Sequence, residues 1–360
     1  MIFKENNLKA SNGVKLLIIT QKVDVNDDIL GFFHGWLEKF AKKFSKLTVI
    51  CLEKGEYVLP QNVEVLSLGK EAGKSRLKYI FRFYKYIFKY RDDYDAVFVH
   101  MNPEYVVLGG LFWKIMRKKI LLWYNHTYGG LFAKLGIIFA DMVLHTSPYA
   151  FSANTKKSVR MPAGIDTEIF KKNPAAEKLK NSILYIGRFS PVKNIHILIE
   201  AAKILDKQNL DFSVYLYGKP PATHIGYFKL IKESARELEK KGKLFFNESA
   251  PNFKTPEIYN KHIVSVNLTP SGNYDKTVLE SMACETLVLV SSKAFEDALP
   301  KEFIFKENDA DDLAKKLQSV FKLPEDERIL FGQNFRRYII ENHNLNLLAE
   351  KISSAVAVPI

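Results

Sequence analysis

The sequence predicts an α/β protein built from two doubly wound domains, each a parallel sheet with helices on both faces. Three observations lead there. A chain of 360 residues with 47% hydrophobic content exceeds one compact core and suits two domains of ordinary size. Short apolar runs rich in β-branched and aromatic residues, at 15–20, 47–52, 63–66, 96–100, 119–124 and 142–145, alternate with helical patterns. That is a βαβα rhythm. After Met161-Pro162-Ala163-Gly164 the rhythm restarts, with runs at 182–186, 213–217, 243–247, 263–268 and 287–292.

These runs set the expected boundaries: one domain over 1–165, a second over 166–340, and a final segment, 341–360, whose helix packs back on the first. The whole stretch 326–355 reads as helical. Open parallel sheets bind ligands beyond the carboxyl ends of their strands, so the two sheets are expected to face each other across an interdomain cleft that holds the active site.

Composition narrows the class. Cys51 and Cys284 are the only cysteines and both sit in apolar stretches, so no disulfide framework or zinc site is expected. The longest uncharged apolar run, 105–113, is far short of the roughly 18 residues a membrane span needs. The opening residues lack the pattern of a secretory leader, and the expected location is the cytoplasm. Net charge is +13. Residues 1–160 hold 25 Lys and Arg against 14 Asp and Glu, so eleven of those charges belong to the first half. One-sided basicity points to an anionic surface or polymer.

In the second half, Ile183-Leu-Tyr-Ile-Gly187-Arg188 is a strand closing on a glycine and a cation, with Lys193 five residues on. Arg188 can fork two oxygens and Lys193 adds a point charge, a pairing that suits a diphosphate; an exposed charged turn is the competing reading. Gly218 closes the next strand and marks either a turn or a close approach to ligand. The third piece runs from Thr269 through Ser271, Gly272, Asp275, Lys276, Thr277, Val278, Leu279 and Glu280 to Cys284, a polar loop entering an apolar helix. Free amides at that helix start face an anion. Glu280, one turn inside, can accept two hydrogen bonds from a vicinal diol such as a ribose, or pair with a lysine.

In this order, and with Pro162-Ala163-Gly164-Ile165-Asp166 between the halves, these pieces resemble glycosyltransferase family 4, the glycosyl transferases group 1, whose fold is GT-B: two Rossmann-like domains. The resemblance implies that residues 1–165 bind the acceptor and 166–340 the nucleotide-sugar donor. It implies that Gly187, Arg188, Lys193 and Gly218 serve the diphosphate, that amides around Thr277, Val278 and Leu279 assist, and that Glu280 holds the ribose, with the base near 246–250. Arg188 and Lys193 become catalytic groups that stabilise the leaving diphosphate. The chain departs from the family's Glu-x7-Glu pattern at Gly272, where the first Glu contacts the donor sugar. Asp275, Lys276 or the amides from Ser271 onward are the candidates to replace it.

In the first half, the run 119–124 ends in Asn125-His126-Thr127, similar to the family's His site beside the transferred sugar, which makes His126 the third catalytic candidate. A plain loop histidine is the alternative. His100 ends the preceding strand and, with Gly31 of the first β–α loop, is a candidate for the acceptor side of the cleft. That loop is acidic, and its carboxylates either bind acceptor hydroxyls or, at Asp28, cap the next helix. Asp93-Tyr94-Asp95 and Asp309-Ala310-Asp311 match a metal-binding string of another glycosyltransferase fold, yet both read as turn and cap residues. No metal and no cofactor is expected beyond the UDP- or GDP-linked donor.

From Lys74 to Arg91 seven cations interleave with seven aromatics on a helical pattern. Tyr79, Phe83, Tyr86 and Tyr90 form a core-facing stripe, whereas Phe81, Tyr84 and Phe88 fall elsewhere round the helix. The segment reads as a contact with an anionic membrane surface, with an ordinary domain helix and a nucleic-acid contact as the alternatives. The resulting expectation is a retaining hexosyltransferase that works on a lipid-linked or glycan acceptor at the cytoplasmic membrane face and binds no nucleic acid. The alternatives are another GT-B reaction such as sugar-nucleotide epimerisation, or a basic nucleic-acid-binding protein.

Overall fold

The computed structural model describes residues 13–358. The chain divides into two units, 1–164 with 345–360, and 165–344.

In the first unit, β1 (Lys15–Val23), β2 (Lys46–Lys54), β3 (Val63–Ser67), β4 (Ala96–His100), β5 (Lys119–Trp123), β6 (Met142–His145) and β7 (Ser158–Arg160) form one sheet in the order β3-β2-β1-β4-β5-β6-β7. Every pairing is parallel. Strands buried on both faces read as continuous apolar runs, and all five residues of β4 and of β5 are buried. The helices are α1 (Phe32–Ala41), α2 (Arg76–Lys89), α3 (Pro103–Ile115) and α4 (Leu131–Phe139). Along β1 the side chains alternate between two cores. Leu16 and Ile18 meet Phe33, Trp36, Leu37 and Phe40 of α1, whereas Leu17 and Ile19 meet Phe83 and Ile87 of α2 and Trp113 of α3.

The second unit holds β8 (Ser182–Ile186), β9 (Ser213–Tyr217), β10 (Leu244–Asn247), β11 (Val264–Asn267) and β12 (Leu287–Val290), all parallel, in the order β10-β9-β8-β11-β12. Its helices are α5 (Ile195–Lys207), α6 (Ile225–Lys240), α7 (Thr255–Asn260), α8 (Lys276–Ala283), α9 (Ala310–Lys322) and α10 (Glu325–Asn342). In each sheet the strand order reverses beside the first strand. The loops after β1 and β4, and those after β8 and β11, therefore flank the position where doubly wound sheets take ligands.

The helical stretch expected over 326–355 is two helices. It breaks at His343-Asn344, and α11 (Leu345–Ala357) begins the return to the first unit, where Leu348 and Ile352 join the α1 core. The returning segment therefore starts at 345 rather than 341, and the second unit at 165 rather than 166. Gly164 ends the first crossing. Its φ is +69°, its carbonyl accepts the Trp36 indole N–H at 2.8 Å, and a Cβ would lie 2.5 Å from Leu348 Cδ2. Only glycine fits there.

Candidate active site

The second unit builds its site at the carboxyl ends of β8, β9 and β11. The Gly187 N–H donates to the Tyr217 carbonyl at 3.0 Å, and the Gly218 N–H donates to that of Asn247 at 3.2 Å. A Cβ on Gly218 would stand 2.0 Å from the Gly187 carbonyl oxygen. Gly218 is thus required for one strand end to pack on the next, which is the turn reading of that residue. Arg188 follows, its carbonyl accepting from the Tyr185 hydroxyl at 3.0 Å, and its exposed guanidinium has no hydrogen bond or ion pair among the described residues. A forked cation held beside a sheet's switch point is available to an oxyanion.

Lys193 has a partner already. Its Nζ lies 2.5 Å from Asp275 Oδ2 and donates to Thr269 Oγ1 at 3.2 Å. The same Asp275 oxygen accepts from the Thr269 hydroxyl at 2.5 Å and from Asn267 Nδ2 at 2.9 Å. Three donors therefore converge on Oδ2, and Oδ1 has none among the described residues. Burial pushes the Asp275 carboxyl up, but the Lys193 charge and the bonds from Lys193, Thr269 and Asn267 outweigh it and hold the group below the usual carboxylate range. Asn194, left-handed at φ +47°, donates to the Leu268 carbonyl at 3.2 Å and ties the β8 loop to the end of β11.

The loop after β11 is pinned at each residue. The Ser271 N–H donates to Glu307, the Gly272 N–H to Ser292 Oγ at 3.1 Å, and the Ser292 hydroxyl to the Asn273 carbonyl at 2.7 Å. Tyr274 stacks on Phe295 with centroids 4.4 Å apart, and its hydroxyl lies 3.0 Å from His343 Nε2. Gly272 has φ +93°. α8 opens at Lys276, with Asp275 at its N-cap making no side-chain cap bond; of the amides expected to face an anion, that of Val278 is engaged by the Asp275 carbonyl at 3.3 Å.

Glu280 is buried, 4% exposed, and each oxygen is met once: Asn252 Nδ2 donates to Oε1 at 2.9 Å and the Tyr259 hydroxyl to Oε2 at 3.1 Å. A carboxylate accepts about four hydrogen bonds, so capacity remains. Burial raises its pKa against the opposing effects of Asn252, Lys276 and Tyr259, and burial lowers that of Lys276 against the Glu280 charge. Asn252 and Tyr259 were not legible as site residues, and neither were Thr269 and Asn267. In the region expected for the base, the Phe246 ring packs edge-on against Phe189 and Phe228, with Lys232 Nζ 4.2 Å from its centroid.

In the first unit, His126 follows β5 on an exposed loop. The loop is set by Asn125, whose Oδ1 accepts from the Thr146 and Ser147 N–H groups at 2.9 and 3.0 Å. The His126 ring meets Tyr124 edge-on, and partial burial lowers its pKa, which favours neutral imidazole. His100 is a different case. Its ring is buried among Phe33 at 4.7 Å, Trp36 at 5.6 Å and Trp123 at 6.3 Å, so it forms part of the aromatic packing at the end of β4.

Gly31 is the cap of α1, where a Cβ would fall 2.4 Å from the Asp27 carbonyl oxygen. The cap expected at Asp28 is therefore Gly31, and Asp27 turns the loop by accepting from the Ile29 and Leu30 N–H groups. Asp24 and Asp27 lie 3.2 and 2.9 Å from Lys22 Nζ, which also meets Glu53, so these carboxylates are already committed. Among the described residues no group of three or more His, Cys, Asp or Glu is placed to hold a metal ion. Asp93 pairs with Lys46, Asp95 accepts the Lys15 N–H, and Asp309 caps α9.

Residues 166–342 match the family model for glycosyl transferases group 1. A comparison with curated protein sequences gives no match. Among solved structures, the chain is similar to HepE from Anabaena in complex with UDP, at 15% identity over 96% of this chain and 100% of that one, with a TM-score of 0.76. A glycosyltransferase from Rickettsia africae matches at 18% identity over 95% and 98%, TM-score 0.72. Sucrose-phosphate synthase from Thermosynechococcus elongatus matches at 17% over 94% and 98%, TM-score 0.72. Fold and family match together define a glycosyltransferase of GT-B architecture. Residues 166–342, nearly the whole second unit, are its glycosyl transferases group 1 domain.

Proposed function

We propose that this glycosyltransferase transfers a hexose from a UDP- or GDP-sugar, with retention of anomeric configuration, to a lipid-linked or glycan acceptor at an anionic membrane surface. The observation that carries the donor assignment is the arrangement after β8 and β11, where an unpaired Arg188 accompanies a Lys193 held by Asp275. Two cations and the opening amides of α8 suit a diphosphate. HepE has been solved with UDP and with UDP-glucose, which supports a nucleotide-sugar donor here. Glu280 then accepts the ribose hydroxyls on its remaining lone pairs, and Asp275 Oδ1 accepts from the sugar.

His126 lies beside the transferred sugar and donates a hydrogen bond as neutral imidazole. Arg188 and Lys193 stabilise charge on the leaving diphosphate, which takes the acceptor proton on the same face of the sugar, so no protein nucleophile or metal ion is required. The membrane part rests on α2, where Leu77 and Phe81 are 81% and 72% exposed among lysines. No helix of the described residues is long and apolar enough to cross a membrane, so the contact is peripheral. A panel of UDP- and GDP-sugars tests the reading by thermal stabilisation. One donor should raise the melting temperature more than its free diphosphate does, and its product should keep the donor's anomeric configuration by NMR. No stabilisation by any member sinks the donor assignment.

A further inference from the structure

Ahead of α2 the chain turns through Gly69 (φ +93°), a short 3-10 turn at Lys70–Ala72 and Gly73 (φ +136°). This corner leaves a hollow of about 290 Å³ bordered by Ala72, Gly73, Lys74, Lys78 and Arg82. Arg82 crosses directly over Gly69, where a Cβ would lie 1.6 Å from Nη1. The same nitrogen donates to the Leu68 carbonyl at 2.9 Å, which fixes the guanidinium in place. Lys74 and Lys78 are exposed and have no ion pair among the described residues.

The acid of this turn is engaged elsewhere. Glu71 accepts from the Ser67 hydroxyl at 2.8 Å and from the Lys54 N–H at 3.3 Å, and Lys70 pairs with Glu53. A second hollow of about 350 Å³ continues from the same Lys78 and Arg82 along α2, walled by Leu77 and Phe81 and reaching Lys85. An anion seat thus opens onto two large exposed apolar side chains.

We propose that this corner binds the phosphate of an anionic phospholipid, with Lys74, Lys78 and Arg82 on the phosphate and Leu77 and Phe81 entering the apolar layer beside it. The assignment rests on the membrane part of the proposed function and sharpens it, from attraction spread over a basic helix to one seated headgroup. The cations supply charge complementarity for a phosphate. Leu77 and Phe81 decide the source, because a soluble phosphate gives them nothing to cover, whereas a lipid covers both at once.

The test compares binding to vesicles of phosphatidylglycerol in phosphatidylcholine with binding to phosphatidylcholine alone, at roughly 0.15 M salt, where attraction beyond about 8 Å is screened. Three variants separate seat from field. Ala72→Trp fills the corner and keeps every charge; Lys74→Gln with Lys78→Gln empties it; Lys85→Gln with Lys89→Gln removes the same charge further along the helix. The first two should lose roughly tenfold or more in binding to the anionic vesicles, and the third only a few-fold.

Unchanged melting temperatures establish that each variant is folded, and UDP or GDP should stabilise all three as well as the parent. Equal losses in the two double variants, with Ala72→Trp unaffected, would overturn the seat and leave the membrane reading standing. Failure of the parent to bind anionic vesicles overturns both. Thermal stabilisation by inorganic phosphate that Ala72→Trp abolishes, without vesicle binding by the parent, identifies a soluble phosphate as the occupant and refutes the lipid assignment.

Discussion

Asp275→Asn separates what the Lys193 cluster does for phosphate from what it does for sugar. In the free protein the Lys193 ammonium is neutralised by a carboxylate 2.5 Å away, with side chains only 17% and 23% exposed. A diphosphate must share that ammonium with Asp275 and tolerate the nearby negative charge. The asparagine is nearly isosteric, and its carbonyl oxygen in the Oδ2 position still accepts from Thr269 and Asn267, so the fold is kept and the charge is lost. A hydrogen bond to a charged group contributes about 1.5–3 kcal/mol, so releasing Lys193 to the ligand should tighten free UDP or GDP by roughly tenfold or more. The sugar should respond in the opposite sense, because Oδ1 is the acceptor left for a hydroxyl. The preference for sugar nucleotide over free diphosphate should fall by about tenfold. Calorimetric titration of parent and variant with both ligands reads the two effects separately. Stability provides a further check, since the Asp275 carboxyl sits below its ordinary 3.8. Its contribution is present above that pH and is lost as pH falls through the lower folded value, so the variant should lose less stability on acidification. Unchanged or weaker binding of free diphosphate by the variant would refute the role given to Lys193.

Glu280→Gln should weaken nucleoside, diphosphate and sugar nucleotide alike by about tenfold or more in calorimetry, because its assigned partner is the ribose; Glu280→Ala should also lower the melting temperature, since it strands Asn252 and Tyr259 in the interior. Arg188→Ala should lose affinity for the diphosphate while binding the nucleoside as before, and equal losses for both would remove it from the phosphate. His126→Ala should lower turnover more than donor affinity in steady-state kinetics, and an unchanged turnover would place it outside the site. EDTA should leave transfer activity largely intact; abolition with rescue by manganese would show that a divalent ion is needed.

The strands were legible because buried parallel strands have no polar face to write into the sequence. The runs at 96–100, 142–145, 182–186 and 213–217 coincide with β4, β6, β8 and β9. β7 was missed, since Ser158-Val159-Arg160 is three residues with no apolar run. The break between α10 and α11 was missed for a different reason. No glycine or proline marks 340–346, and the stop is made by the Ile165 N–H on the His343 carbonyl and by Tyr274 against the His343 ring. Partners so far apart in the chain leave no local signature. The charged members of the candidate site, Arg188, Lys193 and Glu280, stood out by type and spacing, but the groups that orient Lys193 and Glu280 did not. Lys193 and Asp275 are 82 residues apart, and Glu280 meets Asn252 and Tyr259 from 28 and 21 residues away.

The same distant contacts account for the departure at Gly272. Its φ of +93° lies in the region that favours glycine, and its N–H is held by Ser292, whose hydroxyl in turn holds the Asn273 carbonyl. A side chain there would cost about 1–3 kcal/mol of backbone strain before reaching any ligand. The loop's conformation therefore disfavours a carboxylate at the position where the family carries its first Glu. Three residues on, Asp275 has an ordinary extended backbone with φ −74° and ψ +133°, and its Oδ2 is fixed by Lys193, Thr269 and Asn267. A carboxylate immobilised through one oxygen presents the other at a defined position. The candidate for the acceptor function displaced from Gly272 is therefore Asp275, inside the cluster that holds Lys193.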